Sequence, residues 1–160
     1  MNARVRDAVG ASEAQAGVDS RALTLLADLS QALAVTIDVE HTLARAVTRI
    51  ADCMQAEAAS VFMLDVGGQF LECRACAGPV DVRGMRLPVE TGIVGRTIQS
   101  NTCQMVRDAQ SDPDFAGKVD ARTGFTTRSV LCTPLTTTRG PIGVLEVLNK
   151  RGGSLFEDAD

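Results

Sequence analysis

The sequence predicts an α+β domain built on an antiparallel sheet. Two helix-periodic segments come first, and strand-like segments joined by tight turns fill the rest. Ala22, Leu25, Leu26, Leu29 and Leu33 recur at helical spacing, with Asp19 or Ser20 placed to cap. A second helix is expected after Asp38, with Val39, Leu43, Val47, Ile50 and Met54 on one stripe. Two amphipathic helices in succession need a common surface to cover.

That surface follows. Residues 58–65 read as a strand, Gly67-Gly68 as a turn, and 70–76 as the hairpin partner. Gly78-Pro79 breaks the chain before a short strand over 85–89. Residues 92–100 read as a short helix opening on glycine, and 102–107 as a strand. The polar stretch 108–127 carries Pro113 and Gly124, with a short helix expected over 115–121. Strands over 128–136 and 142–149 close the sheet around a turn at Arg139-Gly140-Pro141. Residues 1–18 have no period and read as a loose leader, which leaves one domain over 19–160. Residues 156–160 read as the beginning of a helix whose remainder the sequence does not contain.

Composition narrows the function. A chain of 160 residues suffices for one sizeable core. No apolar stretch approaches the ~20 residues of a membrane span, and the first twenty residues lack the apolar run of a secretory signal. A net charge of -4 without a Lys/Arg run argues against nucleic acid. Cys53, Cys73, Cys76, Cys103 and Cys132 lie in apolar segments, as reduced core thiols of a cytoplasmic protein do.

Candidate chemistry is sparse. Cys73-Arg74-Ala75-Cys76 has no second pair for zinc, and on a regular strand its thiols face opposite sides. His41, in the first turn of a helix, has no catalytic constellation around it. Gly92-Ile93-Val94-Gly95 either offers amides to an anion or allows tight packing. Glu146 shares a strand face with Ile142, Val144 and Leu148, so it is either an edge residue open to water or an acceptor inside a pocket. Asp120, Thr123 and Thr127 are spaced to point together on a helix, or to cap its end.

The run from Val119 to Leu135, with Asp120, Thr123-Gly124-Phe125 and Leu131-Cys132-Thr133-Pro134-Leu135, resembles the VDxxTGFxTRxxLCxPL pattern of GAF domains. Asn149-Lys150, then Phe156 and Asp160, is similar to the NK…FxxxD motif of the subgroup found in cyclic-nucleotide phosphodiesterases and bacterial adenylyl cyclases. The resemblance implies a six-stranded antiparallel sheet with N-terminal helices on one face and a loop-covered pocket on the other. It implies that Lys150 pairs with Asp160. It carries ligand contact onto Ser60, Ile93, Val94, Asp120, Thr123, Thr127 and Glu146, and places Arg74 or Ala75 near a purine. Arg74 stacking on that base would suit adenine at least as well as guanine. Ala116 stands where related domains often carry an aromatic.

The function so implied is a non-catalytic sensory module. It would bind a small molecule, cAMP slightly ahead of cGMP, without cofactor, metal or nucleic acid. It would act as a homodimer fused to an output domain. The alternative is a dimerisation module with an empty pocket.

Overall fold

The computed structural model describes residues 39–160; the helix predicted around Leu25, Leu26, Leu29 and Leu33, and the leader, lie outside the described residues. Helix α1 (Val39–Cys53) precedes strands β1 (Ala56–Leu64), β2 (Phe70–Ala77) and β3 (Arg86–Pro88). Helix α2 (Gly92–Ser100), strand β4 (Gln104–Val106) and helix α3 (Lys118–Thr123) follow, then strands β5 (Val130–Thr137) and β6 (Gly140–Lys150). The strands form one antiparallel sheet in the order β3-β2-β1-β6-β5-β4. The α+β expectation holds, although the third helix starts three residues later than its sequence suggested.

Period-two alternation sorts the strand residues onto two faces, each with its own core. On one face Ala59, Val61, Ala75 and Val147 meet Val47 and Ala51 of α1. Ala56, Ala59 and Ala75 are buried there, and their small side chains let α1 lie close over β1 and β2. Val39, expected on the same helical stripe, is 58% exposed. On the other face Phe62, Leu71, Cys73, Val130, Cys132 and Val144 pack against Ile93, Val94 and Ile98 of α2.

Two irregularities change which residues share a face. Val61 pairs with Ala75 and Phe62 with Cys73, so Arg74 is an extra residue in β2. Leu135 pairs with Gly143 and Thr136 with Pro141, so Ile142 is extra in β6. Ile142 is 40% exposed and leaves the aliphatic face predicted for it; Val144 and Leu148 remain.

Both glycines of the Gly92–Gly95 run have local reasons. Gly92 opens α2 at φ 76, a backbone that other residues adopt at a cost. A Cβ on Gly95 would lie 2.6 Å from the carbonyl oxygen of Val89. Tight packing is therefore part of the motif, and it fixes where α2 begins.

The end of the chain folds as a turn rather than a helix, with Asp160 N–H donating to Glu157 O at 2.9 Å. Phe156 is fully buried on the α1 side of the sheet. Lys150 Nζ lies 6.0 Å from its ring centroid and donates to the Asp160 carboxylate, at 2.6 Å to Oδ2. The Lys150 hydrogen bond holds the Asp160 carboxyl below the usual carboxylate range.

Candidate functional site

Five register partners cross the sheet on the α2 side. Cys76, Ser60, Glu146, Cys132 and Gln104 follow one another on β2, β1, β6, β5 and β4. Glu146 therefore sits on a central strand, and the edge reading is excluded. Ser60 Oγ donates to Glu146 Oε2 at 3.0 Å.

Above this rung are two adjoining small lobes, each with an interior volume of about 60 Å³. They share Phe62, Val119, Asp120, Thr127, Glu146 and Leu148. Cys76, Val82, Met85 and Phe125 add walls to the first lobe. Thr91, Ile93, Val94, Phe115 and Ala116 add walls to the second.

The roof is the chain between β4 and β5, and it is held at several points. Arg96 of α2 grips Asp112 with both terminal nitrogens, each at 3.0 Å, and reaches Asp114 at 2.8 Å. Thr127 donates to Asp120 twice, from N–H and from Oγ1, each at 2.7 Å. Gln110 Nε2 donates to Thr127 O at 2.8 Å. Thr123 Oγ1 is turned back onto its own helix, donating to Val119 O at 2.9 Å.

Ser60, Asp120, Thr123, Thr127 and Glu146 thus converge on the first lobe, and Ile93 and Val94 line the second. The hydroxyls and Asp120 are nevertheless spent largely on one another and on the helix backbone, as the capping interpretation expects. Arg74 does not reach the pocket. The bulge turns it to the α1 side, where it binds Glu40 at 3.0 Å and approaches Glu72 at 3.5 Å.

The aromatic walls Phe62, Phe115 and Phe125 were not singled out from the sequence. Phe62 was recoverable, because it stands two residues beyond Ser60 on the same strand face.

Burial pushes the Glu146 carboxyl up to about 7; the Ser60 hydrogen bond opposes this and the nearby Asp120 charge adds to it. The surface that Glu146 still exposes belongs to the cavity it lines. At the far lobe, the N–H groups of Gly92, Ile93 and Val94 at the start of α2 carry no hydrogen bond among the described residues. A helix N-terminus of this kind favours an anion or another acceptor.

The cysteines need correction. Cys73 and Cys132 are buried, but Cys53 and Cys103 are exposed and Cys76 is half-buried at the pocket wall. Cys73 and Cys76 face the same side of β2, because the bulge at Arg74 cancels the odd step between them. Burial, then the neighbouring Cys76 and Glu146, pushes the Cys73 thiol up to about 12. Alkylation of the native domain at pH 8 should therefore label Cys53 and Cys103 quickly, Cys76 more slowly, and Cys73 and Cys132 only on unfolding. Mass spectrometry finding Cys73 among the fast sites would contradict this order.

Among the described residues no three His, Cys, Asp or Glu side chains are grouped to hold a metal, and no helix is long and apolar enough to cross a membrane.

A half-open pocket between an antiparallel sheet and a tethered roof defines a ligand-binding module. The GAF domain family matches residues 38–160, and the chain belongs to that family. It is 35% identical over 77 residues to the dual 3',5'-cyclic-AMP and -GMP phosphodiesterase 11 of Drosophila melanogaster, covering 48% of this chain and 5% of that protein. It is 33% identical over 76 residues to the cGMP-specific 3',5'-cyclic phosphodiesterase of Drosophila mojavensis, covering 46% of this chain and 7% of that protein. Among solved structures, the GAF domain of an Acinetobacter phosphoenolpyruvate-protein phosphotransferase matches with a TM-score of 0.65 at 24% identity, over 86% of this chain and 81% of that one. The domain is accordingly a regulatory, ligand-binding module.

Proposed function

We propose that the pocket binds a cyclic purine nucleotide and so controls an output domain on the same polypeptide. The observation that carries this reading is the pairing of an acid with helix-start amides in one site. Glu146 lines both lobes as an acceptor, and the second lobe adds Gly92, Ile93 and Val94, whose amides carry no hydrogen bond among the described residues. A cyclic nucleotide has N–H donors on its base and an anionic phosphate at the opposite end. Similarity to two cyclic-nucleotide phosphodiesterases supports the same ligand class. The preference for adenine rested on Arg74, which turns away from the pocket, and is not retained. The mutual bonding of Asp120 and Thr127 favours the second reading, a dimerisation and signal-transmission module that binds no nucleotide.

Thermal melting separates the two. A ligand that binds only the folded form stabilises it by about 2.7 kcal/mol at a hundredfold excess over Kd. Thr127→Ala should reduce that gain by ~0.5–1.5 kcal/mol while the domain stays folded. No shift with either cAMP or cGMP at millimolar concentration would remove the nucleotide and leave the dimerisation module.

A further inference from the structure

The charges around the pocket narrow what its ligand must present. Among the described residues, no Arg, Lys or His lines either lobe. The groups that face Glu146 are Ser60 from β1, Cys73 and Cys76 from β2, Cys132 from β5 and Asp120 from α3. Every titratable member of that set is an acid. The guanidinium of Arg96, on α2, is held by Asp112 and Asp114. Ser60 donates to Oε2, and Oε1 makes no hydrogen bond among the described residues. Among the described residues, a carboxylate there has one donor, an acidic neighbour and no cation. Its proton is held more tightly than that of the same carboxyl in water.

We propose that the ligand places an N–H donor, from an amine, amide or amidine-like edge, against the ionised carboxylate of Glu146, so that ligand enters as a proton leaves. This rests on the reading of the two lobes as a ligand pocket and adds its recognition chemistry and its regulation by pH. The linkage has a definite sign. Burial pushes the Glu146 carboxyl up to about 7. The N–H donor requires the ionised form. Affinity therefore rises with pH and levels off above neutrality. An acceptor in the ligand, held by the protonated carboxyl, would give the opposite slope.

The test is titration calorimetry with cAMP and with cGMP between pH 5.5 and 8, a range in which neither nucleotide itself titrates. Kd should weaken by about tenfold per pH unit below 7, as one released proton requires. Glu146→Gln should remove that slope, and its amide oxygen should preserve part of the affinity at low pH. Purine riboside 3',5'-cyclic monophosphate, which lacks base N–H donors, should bind weakly and without the slope. A flat or inverted pH profile in the unmodified domain overturns the proposal even where the nucleotide binds tightly. If neither nucleotide binds at any pH, the cyclic-nucleotide reading fails by itself. The same comparison with adenine, benzamidine and methylguanidinium then judges the donor requirement, and no pH-dependent, Glu146-dependent binding by any of them overturns it.

Discussion

Asn149→Ala is expected to cost about 4 kcal/mol, read as a lowered urea midpoint with an unchanged slope. Asn149 is 1% exposed and uses all of its side-chain polar capacity. Oδ1 accepts from Arg128 N–H at 2.7 Å and Ser129 N–H at 3.1 Å. Nδ2 donates to Glu57 Oε2 at 2.9 Å and Thr126 O at 2.8 Å. One amide thereby joins the end of β6, the entry to β5 and the start of β1. Alanine would leave backbone groups near these strands without partners, and would itself sit at φ 55, where asparagine is among the few residues commonly found. Asn149→Asp keeps the acceptor but sets a second carboxylate against Glu57, so its loss should be partly recovered on acidification. A change below ~1 kcal/mol for the alanine variant would show that these bonds are replaced by water at no cost.

Glu146→Gln is expected to stabilise the ligand-free domain at pH 8, by about 2–3 kcal/mol or roughly 10 °C in Tm, and to leave it nearly unchanged at pH 4.5. The folded domain holds the Glu146 proton to about pH 7, whereas the unfolded chain gives it up near the ordinary 4.5. This residue's contribution is thus most favourable below the unfolded value, and it is lost as pH rises through the folded one. The figure lies below the full shift because water in the cavity can hydrate part of the charge. Equal melting of both proteins at pH 8 would mean that the carboxyl is well solvated in the empty pocket. Together with the proton linkage, the prediction makes the site costly to the fold when it is competent to bind.

The legible parts of this fold were those fixed by local sequence. The helix over 92–100 was placed at both ends, because the glycine that opens it and the polar residues that close it are neighbours of its own turns. Strand positions followed from alternation, and Glu146 was found because an acid on an aliphatic face needs a partner, whereas Ser60, which supplies that partner, entered only through the family resemblance. What was missed depends on pairing between strands. Nothing in the sequence near Arg74 or Ile142 announces an extra residue, since a bulge exists only relative to the neighbouring strand. The pairing of Asp120 with Thr127 was likewise hidden, because a helix model of 120–127 cannot anticipate the turn at Gly124 that brings the hydroxyl back. Asn149 entered only through the family motif; its four bonds are visible once three distant segments are assembled.

The bulge also changes what counts as a neighbour in this sequence. With Arg74 set aside, β2 runs Cys73, Ala75, Cys76, Ala77 in plain alternation, and the pairing to β1 continues without a break. The apparent CxxC is structurally a CxC, with its thiols at adjacent same-face positions about 7 Å apart along the strand. Arg74 behaves as an insertion whose side chain reaches out to Glu40 while its neighbours keep their sides. A chain lacking Arg74 would have a straighter β2, no tie from that strand to the start of α1, and an intact floor beneath the pocket.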